Sequence, residues 1–128
     1  MIKIYFSSSD TSSRKALNWL KRHNLRYEAI NWNKEGMTLE DFFELLSLTE
    51  TGTQEIIAKK SLPYLEFAKH MNNLSLEEML AWIHCQKSLL RLPLIVDENH
   101  LQVGYNEDDI RQFIPQEVRE VRRKNMKF

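Results

Sequence analysis

The chain has 128 residues, with 18 basic and 18 acidic side chains and so no formal net charge, which argues against a stand-alone nucleic-acid binder with its usual basic excess. Apolar residues make up 42 %, with only three glycines and three prolines, so one compact domain with its own core is expected rather than a low-complexity chain. Cys85 is the single cysteine, which excludes an internal disulfide, and no apolar run is long enough to span a bilayer or to serve as a signal peptide, so a soluble, cytoplasmic protein is expected.

Ile2 to Phe6 alternates β-branched and aromatic residues and reads as a strand. A polar turn follows, and "SRKALNWLKRH" then reads as a helix with Ala16, Leu17 and Leu20 on one face. "RYEAINW" is a second strand, and the spacing suits a parallel crossover. Thr38 with Asp41 predicts the capped start of a helix carrying Leu39, Phe42, Phe43, Leu45 and Leu46. Gly52 suits the residue that ends it, and Thr53 suits the cap of "QEIIAKK". Ser61 and Pro63 predict a short helix through "LPYLEFAKH". Ser75 and Glu78 form a capping box for "LEEMLAWIHCQK". Past Pro93, "LIVDENHLQVGY" reads as a hairpin turning at Asp97 to His100. Asn106 with Asp109 then starts "EDDIRQF", and Pro115 opens a last helix from Gln116.

The order β-α-β, several helices, β-β and helix predicts an α/β fold. It resembles a thioredoxin-like mixed-sheet core, residues 1–32 and 91–128, with a helical insertion at 33–90. Such a core places a cis-proline before its third strand, which makes Leu92–Pro93 the cis candidate.

The polar turn at the start of the first helix is where such a fold would carry reactive cysteines; here Asp10 and Ser13 occupy those positions. Aspartate is a preferred N-cap, accepting from the N–H of Ser12 or Ser13. The helix dipole favours its charge by roughly 0.3–1 kcal/mol. As an anion at neutral pH it also keeps the charge of a helix-terminal thiolate without the sulfur. Ser13 needs a base to act as a nucleophile. His23, His70, His84 and His100 offer no such pairing and no metal-ligand spacing, so they read as structural or surface residues. Cys85, alone on its helix near Trp82, reads as an inert packing residue.

The stretches "TSSRKA", "LTETGTQEII" and "LLRLPLIVDENHLQVGYNEDDIRQFIP" resemble the Spx branch of the ArsC-like proteins. That resemblance implies a transcription regulator that binds the C-terminal domain of the RNA polymerase α subunit and answers thiol stress through a Cys-x-x-Cys switch. Here the switch positions are Asp10 and Ser13. Leu92 stands for the family's arginine before the cis-proline, and Lys60 for an arginine on the insertion, while Arg91 is kept. Gly52, the family's polymerase-contact glycine, is kept within Glu50, Thr51 and Thr53. The resemblance therefore implies a redox-insensitive regulator without cofactor or metal, a monomer when free. It would meet promoter DNA only in complex with polymerase, with Arg14, Lys60 and Arg91 as basic contacts. The basic residues after Gln116 (Arg119, Arg122, Arg123, Lys124, Lys127) either complement a helix dipole or add to such a patch. The competing expectations are a thiol-dependent reductase of the ArsC class and a non-catalytic adaptor.

Overall fold

A computed structural model of the protein describes residues 1–115. The expected last helix and its basic residues, from Gln116 onward, lie outside the described residues. The elements run β1 (Ile2–Phe6), α1 (Thr11–Arg22), β2 (Tyr27–Asn31), α2 (Leu39–Ser47), α3 (Tyr64–His70), α4 (Leu76–Cys85), β3 (Leu94–Val96) and β4 (Leu101–Val103). The four strands form one sheet in the order β2-β1-β3-β4. β1 pairs parallel with β2, Ile4 opposite Ala29, and antiparallel with β3, Ile4 opposite Ile95; β3 and β4 form the hairpin. This is the mixed sheet of the expected thioredoxin-like core, and the Leu92–Pro93 bond is cis.

Strand alternation divides the apolar residues between two faces. Ile2, Ile4 and Ile95 pack on one side with Ala16, Trp19 and Leu20 of α1, and with Ile110 and Phe113. Tyr5, Ile30 and Leu94 pack on the other with Phe42 and Leu45 of α2, Phe67 of α3 and Ile83 of α4. The helix starts follow local hydrogen bonding: the Thr38 hydroxyl accepts from Asp41 N–H at 3.1 Å, and Ser75 and Glu78 form both bonds of the capping box, at 3.0 and 3.1 Å.

Four local expectations are corrected. α2 stops at Ser47 with Leu48 as its C-cap, so Gly52 lies beyond the helix and does not end it. No α-helix follows Thr53: residues Thr53–Glu55 make a single 3-10 turn without a side-chain cap. α3 begins three residues after Ser61, whose hydroxyl instead donates back to the Ala58 carbonyl at 2.6 Å. The segment after Asn106 is likewise a 3-10 turn, Asp109–Phe113, with the Asn106 side chain accepting from the N–H groups of Asp108 and Asp109.

The loop after β2 is fastened to the end of α4 by an aromatic stack. The fully buried Trp32 donates from Nε1 to the Lys87 carbonyl at 3.0 Å, and Lys87 Nζ lies 4.1 Å from the centre of the Trp32 rings. His84 stacks on Trp32, and its Nε2 accepts the Met37 N–H at 3.0 Å. A proton on Nε2 would set donor against donor. Burial, and then the nearby Lys87 charge, push the His84 pKa below its ordinary value. The unfolded chain then binds more protons than the folded one as pH falls through the ordinary imidazole range, so stability rises with pH there. The protein is expected to lose stability as pH drops below about 6.5, and His84→Gln is expected to flatten that loss; urea titrations across the range check both.

Candidate functional site

Asp10 caps α1 through one carboxylate oxygen. Oδ2 accepts the Ser13 N–H at 2.9 Å and the Ser13 hydroxyl at 2.8 Å. The Ser13 oxygen accepts in turn from the Ser7 N–H at 3.2 Å, and Ser13 is 0 % exposed. The hydroxyl is thus occupied as donor and as acceptor, with a carboxylate and no imidazole as its partner, and the pair offers no activated nucleophile. Beside it lies an open cleft of about 540 Å³, lined by Ser7, Ser9, Asp10, Asn33, Lys87 and Arg91, among others. Asp10→Ala is expected to cost about 0.5–2 kcal/mol, because it orphans a helix-end N–H and a buried hydroxyl together; thermal melts measure it.

The segment around Gly52 is held by two side chains of its own loop. The Thr49 hydroxyl accepts the Gly52 N–H at 3.1 Å and donates to the Leu46 carbonyl at 2.6 Å. Glu55 Oε2 accepts the Thr51 N–H at 2.6 Å and its hydroxyl at 3.2 Å. Gly52 itself has φ 91° and ψ −149°, a region essentially closed to residues with a Cβ. A Cβ built there would meet nothing within 4 Å, so this backbone faces open space. Glu50 and Thr51 are exposed, and Thr53 is half-buried.

The strand-like stretch before the cis-proline ties this loop to the cleft. Ile57 and Leu90 form an antiparallel bridge, Arg91 N–H donates to the Ile56 carbonyl at 2.8 Å, and the Arg91 guanidinium donates to the Glu55 carbonyl at 3.3 Å. Of the three basic residues singled out from the sequence, Arg91 joins the two features. Arg14 folds back on its own turn, donating to the Ser8 carbonyl at 2.9 Å, and Lys60 is exposed; neither lines the cleft. Cys85 is exposed at the end of α4 rather than packed, which corrects the reading from sequence. The roles of Thr49 and Glu55 were missed. A glutamate four residues after Thr51 was the available signal, but without an α-helix there the spacing had no meaning until the loop was seen.

The ArsC family model matches residues 5–113. The chain belongs to the ArsC family. Among its relatives are two proteins named global transcriptional regulator Spx. The one from Lactiplantibacillus plantarum is 42 % identical over 119 residues, covering 93 % of this chain and 90 % of the relative. The one from Listeria innocua is also 42 % identical, covering 93 % and 91 %. Solved ArsC-like structures share the fold. A protein of Streptococcus mutans described as a possible arsenate reductase superposes with a TM-score of 0.70 at 22 % identity, covering 86 % of this chain and 97 % of its own. An arsenate reductase of Vibrio cholerae superposes with a TM-score of 0.64 at 18 % identity, covering 87 % and 92 %.

Proposed function

We propose that this chain is a redox-insensitive transcription regulator that binds the C-terminal domain of the RNA polymerase α subunit through the surface around Gly52. The relatives' name supports regulation. The observation that carries the contact surface is Gly52 itself, an outward backbone segment with no side chain, held in shape by Thr49 and Glu55. A flush, prepaid loop of this kind lets a partner approach closely at little ordering cost. Segment 33–90 acts in this reading as an insertion that carries the partner surface. Arg91 links that surface to the cleft beside Asp10.

Loss of the redox response follows from the pair at the helix start. Two thiols can exist joined or apart, whereas a carboxylate and a hydroxyl, here hydrogen-bonded to each other, have no such thiol–disulfide couple. The arsenate reductase of Vibrio cholerae and its fold relatives keep a second reading in view, an oxyanion reductase. It lacks a thiol at α1, has Leu92 before the cis-proline, and would place a carboxylate where an anionic substrate must enter. Titration of the protein with the purified α domain tests the first reading: no binding removes it. Turnover of arsenate with glutathione or a thioredoxin system would establish the second instead.

A further inference from the structure

The chain's zero net charge hides a strong segregation. Residues 11–26 contain Arg14, Lys15, Lys21, Arg22 and Arg26 and no acidic residue. Residues 35–55 contain Glu35, Glu40, Asp41, Glu44, Glu50 and Glu55 and no lysine or arginine. The first stretch is α1 and its exit, packed on one face of the sheet, and the second is built around α2, packed on the opposite face. All five cations are exposed, and none is in an ion pair among the described residues.

From this arrangement we infer that the outer face of α1 is a docking surface for the phosphate backbone of duplex DNA. Lys15, Asn18 and Arg22 follow the i, i+3, i+7 spacing of one helix face, with Lys21 at its edge. They line an open groove of about 560 Å³ whose far wall is Tyr105 and Glu107. Lys15 to Arg22 spans about 10 Å at 1.5 Å per residue, the axial length of about three phosphates of one strand at ~3.4 Å each. Asn18 and Tyr105 add neutral donors of the kind that position a backbone without reading its sequence. The acidic turn at Glu107, Asp108 and Asp109 bounds the groove and repels phosphate, so the strand lies along α1 and not across the turn. The opposite, acidic face of the molecule points away from DNA in the same pose. The inference rests on the regulator reading in one respect: a regulator held at a promoter by polymerase has a duplex within reach, so a weak, sequence-independent contact suffices.

Fluorescence anisotropy with a short labelled duplex of mixed sequence, followed from low to physiological salt, tests it. Binding is expected at low salt, with log affinity falling linearly against log salt and a slope of about −0.9 for each phosphate neutralised. The triple variant K15Q/K21Q/R22Q is expected to lower that slope by about 2–3 without changing the melting temperature. Glu107→Gln is expected to tighten binding, an outcome that misfolding cannot mimic. No duplex binding at the lowest salt, or identical slopes for the triple variant and the parent, overturns the inference. So does binding to phosphatidylglycerol vesicles that excludes duplex. A parent protein that binds duplex through α1 but not the α domain keeps this inference and removes the reading above; one that binds the α domain but not duplex does the reverse.

Discussion

Replacing Asp10 and Ser13 together by cysteine, in a Cys85→Ser background, is expected to install a thiol switch that the natural chain lacks. The two residues are the N-cap and the third residue of α1, and their side chains already touch, with 2.8 Å between oxygens. A disulfide requires such side chains, directed at one another from Cα atoms about 4.4–6.8 Å apart. The helix N-terminus lowers the pKa of a thiol placed there and so favours the attacking thiolate. Removing Cys85 matters because it is exposed and would cross-link chains. In the reduced form the double variant loses the Asp10 cap, worth about 1 kcal/mol. In the oxidised form, closing a four-residue loop returns about 2 kcal/mol in the chain-entropy account. The oxidised variant should therefore melt above the reduced one, while the natural protein should melt at one temperature under both conditions. Alkylation followed by mass measurement counts the free thiols. A folded variant that keeps both thiols free under oxidant would show that the loop from Ser7 to Ser13 cannot bring the two sulfurs together, and would remove the idea that this is a switch site with its sulfurs replaced.

The same pair shows what was readable from sequence. An aspartate three residues before a buried serine at a helix start is a local pattern, and the cap was expected at Ser12 or Ser13 and found at Ser13. The capping box at Ser75 and Glu78, the cap at Thr38 and the hairpin around Asp97 are local in the same way, since each needs only residues a few positions apart. Gly52 was misread for the converse reason. A glycine after an apolar helix is a common C-terminal signal, but Thr49 bonds back to the Leu46 carbonyl and takes the Gly52 N–H, so the chain leaves the helix earlier and the glycine serves a different turn. The tie between Arg91 and Glu55, thirty-six positions apart, depends on the Ile57–Leu90 bridge and has no sequence signature. Charge segregation was hidden in the net-charge argument, because a sum of zero carries no information about which face of a sheet each charge occupies.

Gly52→Arg is expected to abolish binding of the polymerase α domain, a loss of at least about a hundredfold if the loop is a contact centre of ordinary strength. Two effects act at this position, and they separate. With φ at 91° and ψ at −149°, any side chain strains the backbone, by about 1–3 kcal/mol. That cost is shared by Gly52→Ala and Gly52→Arg, because a Cβ finds no neighbour within 4 Å and neither variant clashes inside the protein. Only arginine fills the space a partner would occupy. Both variants should therefore melt at similar, lowered temperatures, while alanine retains much of the binding and arginine retains none. Glu55→Ala gives a further check, since it frees Thr51 without adding bulk and should weaken binding through loss of loop order alone. Equal losses for alanine and arginine would mean that the partner reads the loop's shape rather than its flush surface. Binding unchanged in both would place the interface elsewhere, and with it would go the argument that an unfilled, rigid glycine turn is what this protein presents to polymerase.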